Sequence, residues 1–199
     1  NAPYCEGRLH EGAECSETRS STMMGSWFAR AAQAEATSVQ SFLILAKQLK
    51  ALGAPQELQN ACMQAAVDEV HHARQMVHLA HQHGSDLPKL SFGTYSEKSA
   101  LDLAMENVVE GCVREGFAAL QALHQSQHAK DPSIRSTMSK IAFDEAKHVE
   151  LAYRIDTWLK TQLTKDECKK VTTAKQNALG ELQTHLLTCK PHPCSRELG

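Results

Sequence analysis

The chain has 199 residues, which is enough for one domain with a sizeable hydrophobic core. Its formal net charge of −2 gives no excess of basic residues that would indicate a nucleic-acid partner. It contains no apolar run of ~18 residues, so we expect no membrane-spanning helix. Aromatic residues make up only 5%, whereas helix formers such as Ala, Leu, Glu, Gln and Lys are abundant, which favours an all-α fold.

The N-terminal residues 1–21 lack a clean hydrophobic period, so we expect an irregular arm. Of the seven cysteines, five lie outside the four central helices predicted below, and four of these are in the terminal arms. This distribution favours disulfides in an exported protein, periplasmic or extracellular, over plain thiols in a cytoplasmic one. The pairing stays open, and the odd count leaves at least one thiol free or paired between chains. The cysteines are Cys5, Cys15, Cys62, Cys112, Cys168, Cys189 and Cys194, with Cys5 and Cys15 as one candidate pair.

Two amphipathic helices are predicted after the arm. Ser20-Ser21-Thr22 offers N-cap residues for a first helix that runs to about Leu52. Gly53-Ala54-Pro55 then supplies a terminating glycine and a helix-starting proline, so a second helix runs from Pro55 to about His83. The inward faces read Phe28, Ala31, Ala32, Glu35, Val39, Phe42, Ala46 and Leu49, then Leu58, Cys62, Ala65, Glu69, His72, Met76 and Leu79.

A second pair of helices follows a long connection, residues 85–96. The third helix runs from about Glu97 to Ala129, and Asp131-Pro132 opens a fourth that continues to about Leu163. Their inward faces read Leu103, Glu106, Glu110, Val113, Phe117 and Leu120, then Ile134, Met138, Ile141, Glu145, His148, Ala152 and Ile155. We therefore expect residues 22–163 to form one helical bundle.

Residues 164–199 form the last predicted region. Thr164 and Glu167 fit a capping box, which opens a fifth helix that runs to about Leu187. The Cys-containing tail after it is expected to be irregular.

Two copies of the motif Asp-Glu-x-x-His carry the chemistry, at 68–72 and 144–148. Residues i and i+3 share a helix face, so Glu69 points with His72, and Glu145 with His148. A lone carboxylate lies upstream of each motif: Glu35 is 34 residues before Glu69, and Glu110 is 35 residues before Glu145. Four carboxylates and two imidazoles on four helices are the ligand set of a ferritin-like di-metal site.

The same groups recur in both halves of the bundle. Glu35 and Phe42 match Glu110 and Phe117 at an offset of 75 residues. The Asp, Glu and His positions of the two motifs match at an offset of 76. A metal site with two-fold symmetry needs such a repeat, so the repeat is stronger support for the site than either motif alone.

This ligand set suits Fe(II) or Mn(II), which take hard oxygen donors together with a borderline nitrogen. We expect two Fe ions, with Mn or a mixed Mn/Fe pair as variants. Glu69 and Glu145 are expected to bridge the metals, and Glu35–His72 and Glu110–His148 to complete one ion each. The alternative is a metal-free bundle with buried salt bridges, but four buried carboxylates without cations would be costly.

Neighbouring acidic residues are candidates for supporting roles. Asp68 and Asp144 could each accept a hydrogen bond from the histidine of the opposite motif, which gives the cross-pairs Asp68–His148 and Asp144–His72. Alternatively, both aspartates are solvated. Glu106 lies one turn before Glu110 and could support or replace it as a ligand, although the repeat favours Glu110.

The remaining candidates have simpler readings. Glu115 is expected to be an outer partner of the ligands or a surface residue, and His71 a surface residue. His78, His81 and His83 are expected to be solvated, or to form a weak secondary metal site. Cys62 is expected to be a small core residue.

With these motifs the chain resembles the ferritin-like superfamily, and most of all stand-alone bacterial ferritin-like domain proteins, which are often exported. The resemblance rests on residues 33–42, Ala51-Leu-Gly-Ala-Pro55 and Asp144-Glu-Ala-Lys-His148, and it covers residues 22–163. It implies a four-helix bundle with a long crossover between its second and third helices. No pair of Cys-x-x-Cys motifs is present, so the rubredoxin-like domain of rubrerythrin is missing. Met76 stands where the ribonucleotide reductase small subunit would carry its radical tyrosine.

Three functions fit these observations. In the first, the chain is an oxidoreductase that activates O2 or peroxide to oxidise an unidentified substrate, with an unidentified electron donor. In the second, Fe(II) itself is the substrate, as in a ferroxidase or an iron store. In the third, the chain binds metal without catalysis. The terminal arms and the fifth helix fit a monomer or a dimer better than a cage.

Overall fold

The computed structural model describes residues 19–87, 89–188 and 192–199 and the backbone of residues 13–15. The fold is all-α, as predicted, apart from one small sheet. The helices are α1 (Met23–Ala51), α2 (Gln56–Gln82), α3 (Ala100–Asn107), a π-helical segment (Val108–Glu115), α4 (Gly116–His128), α5 (Pro132–Lys160), α6 (Lys165–Thr188) and α7 (Ser195–Leu198).

Local sequence signals set the helix ends. Thr22 caps α1, because its hydroxyl oxygen accepts from the backbone N–H of Gly25 at 2.9 Å. Asp131 caps α5 in the same way through the N–H of Ser133 at 2.7 Å. The predicted capping box before α6 is confirmed, since the Glu167 carboxylate accepts from the Thr164 N–H at 2.8 Å.

The turn between α1 and α2 requires a glycine. Gly53 has φ of +77°, in the left-handed region that side chains disfavour, and Ala54 donates its N–H to the carbonyl of Leu49 at 2.9 Å. The chain therefore reverses directly into α2. As a result α1 packs along the length of α2.

The other contacts place α5 at the centre of the molecule. The π segment and α4 pack along α5, and α2 also contacts α5. Helix α6 lies against α3 and the π segment. The Asn107 side chain donates to the carbonyl of Ala152 at 2.9 Å, which fixes the register of α3 against α5.

The core consists of two apolar clusters with polar residues between them. One cluster includes Phe42, Leu49, Leu103 and Leu159, and the other includes Trp27, Phe28, Met76 and Ile141. Along the chain, buried polar residues separate the two clusters on the long helices. We call these residues the polar layer; they are Glu35, Ser38, Glu69, His72, Glu115, Glu145 and His148.

The third predicted helix is interrupted by the π segment, a feature that a constant helical period does not predict. The π segment has a wider hydrogen-bond spacing than an α-helix, and the extra residue turns everything after it by about 100° relative to an uninterrupted helix. Leu120 was predicted to face inward but is 64% exposed, whereas Ala118, Ala122 and Gln125 are buried. The prediction for Leu120 was wrong because it assumed one constant period.

Two predicted irregular regions contain short ordered elements. Strand β1 (Ala13–Cys15) in the N-terminal arm pairs antiparallel with β2 (Leu90–Phe92) in the connection between α2 and α3. In the tail, α7 lies beside the turn between α4 and α5, where the Lys130 N–H donates to the carbonyl of Glu197 at 2.9 Å. Elements of three or four residues are too short for a periodic signal.

The described cysteines bear little on the predicted disulfides. Cys168 and Cys194 form no disulfide in the described part of the chain. Cys5, the side chain of Cys15 and Cys189 lie outside the described residues, so their pairing and the predicted export stay predictions. Within the described ranges, none of the helices combines the length and the apolar character needed to cross a membrane.

The shifted register after the π segment can be tested by one substitution at two positions. Leu103→Gln puts an amide at a site that is 1% exposed and should lower the free energy of unfolding by about 2–5 kcal/mol. Leu120→Gln should change it by less than about 0.5 kcal/mol, because that side chain faces solvent. Chemical denaturation followed by circular dichroism measures both. Equal destabilisation would contradict the π segment.

Candidate metal centre

The polar layer brings together both predicted Glu-x-x-His pairs. Helix α2 supplies Glu69 and His72, and α5 supplies Glu145 and His148. All four are at most 3% exposed. Helix α1 adds Glu35, which is also buried. These side chains are surrounded by helices rather than by solvent, so their charges must be balanced within the protein.

Four of these residues form one compact ligand group. Glu35, Glu69, His72 and Glu145 each offer a ligand atom, and the four atoms lie within 4.8 Å of one another. They come from α1, α2 and α5, so the group depends on the packing of all three helices. Three carboxylates and an imidazole at this spacing could hold a metal ion.

Both motif carboxylates are placed between the two histidines. Glu69 has Oε2 at 3.6 Å from His72 Nδ1 and Oε1 at 3.1 Å from His148 Nδ1. Glu145 has Oε1 at 3.6 Å from His72 Nδ1 and Oε2 at 3.6 Å from His148 Nδ1. Each carboxylate thus presents one oxygen to each imidazole. The two rings lie 6.0 Å apart between centroids.

The aspartates of the motifs lie behind the histidines, at the predicted cross-pair positions. His72 Nε2 is 3.3 Å from Asp144 Oδ2, and His148 Nε2 is 3.4 Å from Asp68 Oδ2. An aspartate that accepts from Nε2 leaves Nδ1 as the nitrogen that faces the carboxylates. The Phe42 ring, 5.1 Å from that of His148, packs against this imidazole.

The carboxylates hold the histidines in their charged form. Burial disfavours charge on His72, but Glu145 and Glu69 outweigh it and raise its pKa to about 10. Burial likewise opposes charge on His148, yet Asp68, Glu145 and Glu69 raise its pKa well above the ordinary value. Burial alone would raise the pKa of Glu69, but contacts with His148 and His72 lower it to about 2. Protons on the imidazoles therefore supply the balancing charge.

The unsatisfied atoms of the site show what it lacks. Among the described residues, both Nδ1 atoms and the Oε2 atoms of Glu69 and Glu145 are buried without a hydrogen bond of acceptable geometry. Buried polar atoms without partners are costly and uncommon. All four point into the same cluster, and all are ligand atoms for a transition metal. The residues present therefore fit a bound cation.

Glu110, the lone carboxylate of the second half, forms an ion pair with an arginine of its own helical segment. Glu110 lies outside the four-residue group, and its Oε1 accepts from Arg114 at 2.7 Å within the π segment. Asn107 contacts Ala152 on α5, which runs in the opposite direction. Glu110 is about one turn after Asn107, and His148 is about one turn before Ala152, so Glu110 and His148 lie at a similar level. Metal binding by Glu110 stays a prediction.

Two further acids were candidates for supporting roles, Glu106 and Glu115. Glu106 is half-buried and forms an ion pair with Lys98. Glu115 is 1% exposed and belongs to the polar layer, so a surface position for it is wrong. The extra residue of the π segment turns Glu115 inward. A constant helical period could not have shown this.

The other histidines and Cys62 lie away from the centre. His71, His78 and His81 are exposed, and His83 stacks on Phe28 with ring centroids 5.4 Å apart. Cys62 is fully buried in the apolar core, as expected.

A small cavity adjoins the centre. Its volume is about 20 Å³, enough for a molecule the size of water or a diatomic gas. Glu35 and Glu145 form part of its wall. The other lining residues are mostly apolar, and four of them (Ala31, Met76, Met138 and Ile141) were predicted to face inward. The full set is Trp27, Ala31, Met76, Ala118, Gln121, Ala122, Gln125, Met138 and Ile141.

Comparison with known proteins gives no relative. No family model, no curated protein and no solved structure matches the chain. Function must therefore be inferred from the side chains of the site.

The charged histidines predict how stability depends on pH. The pKa of His72 rises from 6.5 unfolded to about 10 folded. Its stabilising contribution is therefore complete below pH 6.5 and is lost as pH rises towards 10. The loss is up to about 1.4 kcal/mol per pH unit. Urea denaturation of metal-free protein between pH 6.5 and 9.5 measures this slope.

The matched control for this pH dependence is a histidine on the same helix. His72→Gln should flatten the slope, whereas the exposed His81→Gln should leave it unchanged. An unchanged slope in His72→Gln would show that His72 is not protonated in the folded state.

Metal binding is tested by removing a carboxylate that faces both histidines. Glu69→Ala should weaken binding of Mn(II) by more than the ~10–100-fold typical of losing an outer hydrogen-bond partner. Glu150→Ala, an exposed acid on α5, is the control and should bind like the parent chain. Calorimetric titration gives both affinity and stoichiometry. If Glu69→Ala binds as tightly as Glu150→Ala, the cluster is not the metal site.

Proposed function

We propose that this chain is a ferritin-like di-metal carboxylate oxidoreductase that uses O2 or peroxide to oxidise a substrate. Two Fe ions are the proposed cofactors, with Mn or a mixed Mn/Fe pair as variants. The observation that carries the proposal is the placement of Glu69 and Glu145, each with one oxygen towards His72 and the other towards His148. Carboxylates that face two imidazoles at once are suited to bridging two ions.

Each ion would be held by its own pair of residues in addition to the two shared carboxylates. Glu35 and His72 would complete one ion, and His148 with Glu110 the other. Asp144 and Asp68 would keep each imidazole in the tautomer that offers Nδ1. In this proposal Glu110 keeps its ion pair with Arg114 through Oε1 and would bind the ion through its other carboxylate oxygen.

The fold supports the ferritin-like part of the proposal. The helices form two antiparallel pairs. One pair is α1 with α2, and the other is α5 with the continuous stretch made of the π segment and α4. The two pairs contact each other through α2 and α5. The longest connection between helices of the described chain, residues 83–99, lies between α2 and α3. Both features agree with a four-helix bundle whose crossover joins its second and third helices.

The surroundings of the site favour redox chemistry with a small oxidant. Bound iron would supply the electrons, while the protein fixes geometry and access. The mostly apolar cavity beside Glu35 and Glu145 has room for a small oxidant such as O2.

The proposal is tested by reacting the protein, loaded anaerobically with two Fe(II) per chain, with O2 and separately with H2O2. We expect rapid oxidation of the iron, seen as new near-ultraviolet absorbance, and repeated consumption of the oxidant when a reductant is added. His148→Ala should lose this reaction, and Glu150→Ala should retain it.

The other functions predict different results. Iron uptake far above two per chain in a large assembly would identify a storage protein. Tight binding of two ions without consumption of either oxidant would identify a non-catalytic metal-binding domain. Either result overturns the oxidoreductase proposal.

A further inference from the structure

A pair of neighbouring histidines stands on the surface, at the end of α4. His124 and His128 are both exposed, and their ring centroids lie 4.3 Å apart at an interplanar angle of 42°. We propose that these two histidines form a surface site for a borderline divalent ion such as Cu2+, Ni2+ or Zn2+. The inference does not depend on the function proposed for the buried centre.

The spacing makes the pair a chelate. Residues i and i+4 lie on the same face of a helix, one turn apart, so both imidazoles project in the same direction. A nitrogen bound to zinc lies 2.0–2.1 Å from the metal, so two nitrogens on one ion are at most about 4 Å apart. The two ring centroids are separated by a comparable 4.3 Å. Once the first nitrogen binds, the second binds within the same molecule at high effective concentration.

The position in the helix also favours a cation. Helix α4 ends at His128, where the carbonyl ends of its peptide groups give partial negative charge. The nearby cation Lys130 is offset by Glu197, whose carboxylate lies 3.4 Å from its ammonium. The hydrogen bond from the Lys130 N–H to Glu197 holds the backbone next to the pair.

The ligand set differs in kind from that of the buried centre. The buried centre is rich in carboxylates and suits Fe or Mn, whereas the surface pair offers only imidazole nitrogen, which suits Cu, Ni and Zn. Within the described chain, the only group of three or more His, Cys, Asp or Glu side chains close enough for one ion is the buried group. Water would therefore fill the remaining positions, so the surface ion should exchange readily.

Calorimetric titration of the full chain with Cu2+ tests the proposal. We expect the parent chain to bind one Cu2+ more than His124→Ala and His128→Ala do, in addition to any Cu2+ held by the buried centre. His78→Ala and His81→Ala, which remove exposed histidines from α2, are the controls and should keep the site. All four positions face solvent, so the variants should fold, and their circular dichroism and Mn(II) binding should match the parent chain.

The outcomes separate this site from the buried one. If the His124 and His128 variants bind the same number of Cu2+ ions as the controls, the pair is not a metal site. If all four variants lose Cu2+ equally, the binding is unspecific and the proposal is also wrong. Failure of the buried centre to react with O2 or H2O2 would leave this titration unchanged.

Discussion

The structure depends on balancing buried negative charge in the polar layer. Acids from α1, α2, α5 and the π segment lie there. The balancing charge comes from His72 and His148, which neighbouring carboxylates keep protonated. Without those protons or a cation in their place, the carboxylates would repel one another in a poorly solvated interior. The two apolar clusters on either side hold the helices together despite this cost. Apolar packing is thus concentrated towards the ends of the long helices, and the candidate metal centre lies in their middle.

Metal binding would replace protons at the same nitrogen atoms. His72 and His148 each turn Nδ1 towards the acids and Nε2 towards an aspartate. A metal ligand must be deprotonated, so a cation that enters this layer has to release protons from the two imidazoles. The aspartates stay in place during the exchange and keep both rings oriented. The metal-free arrangement is therefore already close to the geometry that a ligand set requires.

Much of the site could be predicted from the sequence because its signals are local. The spacing of Glu69 from His72, and of Glu145 from His148, puts each pair on one face of any α-helix. The repeat of the motif in both halves predicts that the two pairs meet, and the structure places them in contact. Leu120 was misplaced, and the buried position of Glu115 could not be separated from a surface position, because the π segment follows a different period. The strands β1 and β2 and helix α7 are each too short for a periodic pattern, and their positions depend on contacts between distant parts of the chain.

The π segment makes the two halves of the molecule unlike each other. Its extra residue gives up the regular hydrogen bonding of an α-helix and exposes Leu120 to solvent, both of which are unfavourable for a helix judged by itself. The same segment turns the acid Glu115 into the polar layer, to which α1 and α2 contribute without such an irregularity. A chain shortened by this one residue would have a smoother helix and a less acidic interior. The π segment therefore disrupts one helix and adds a buried acid to only one half of the molecule.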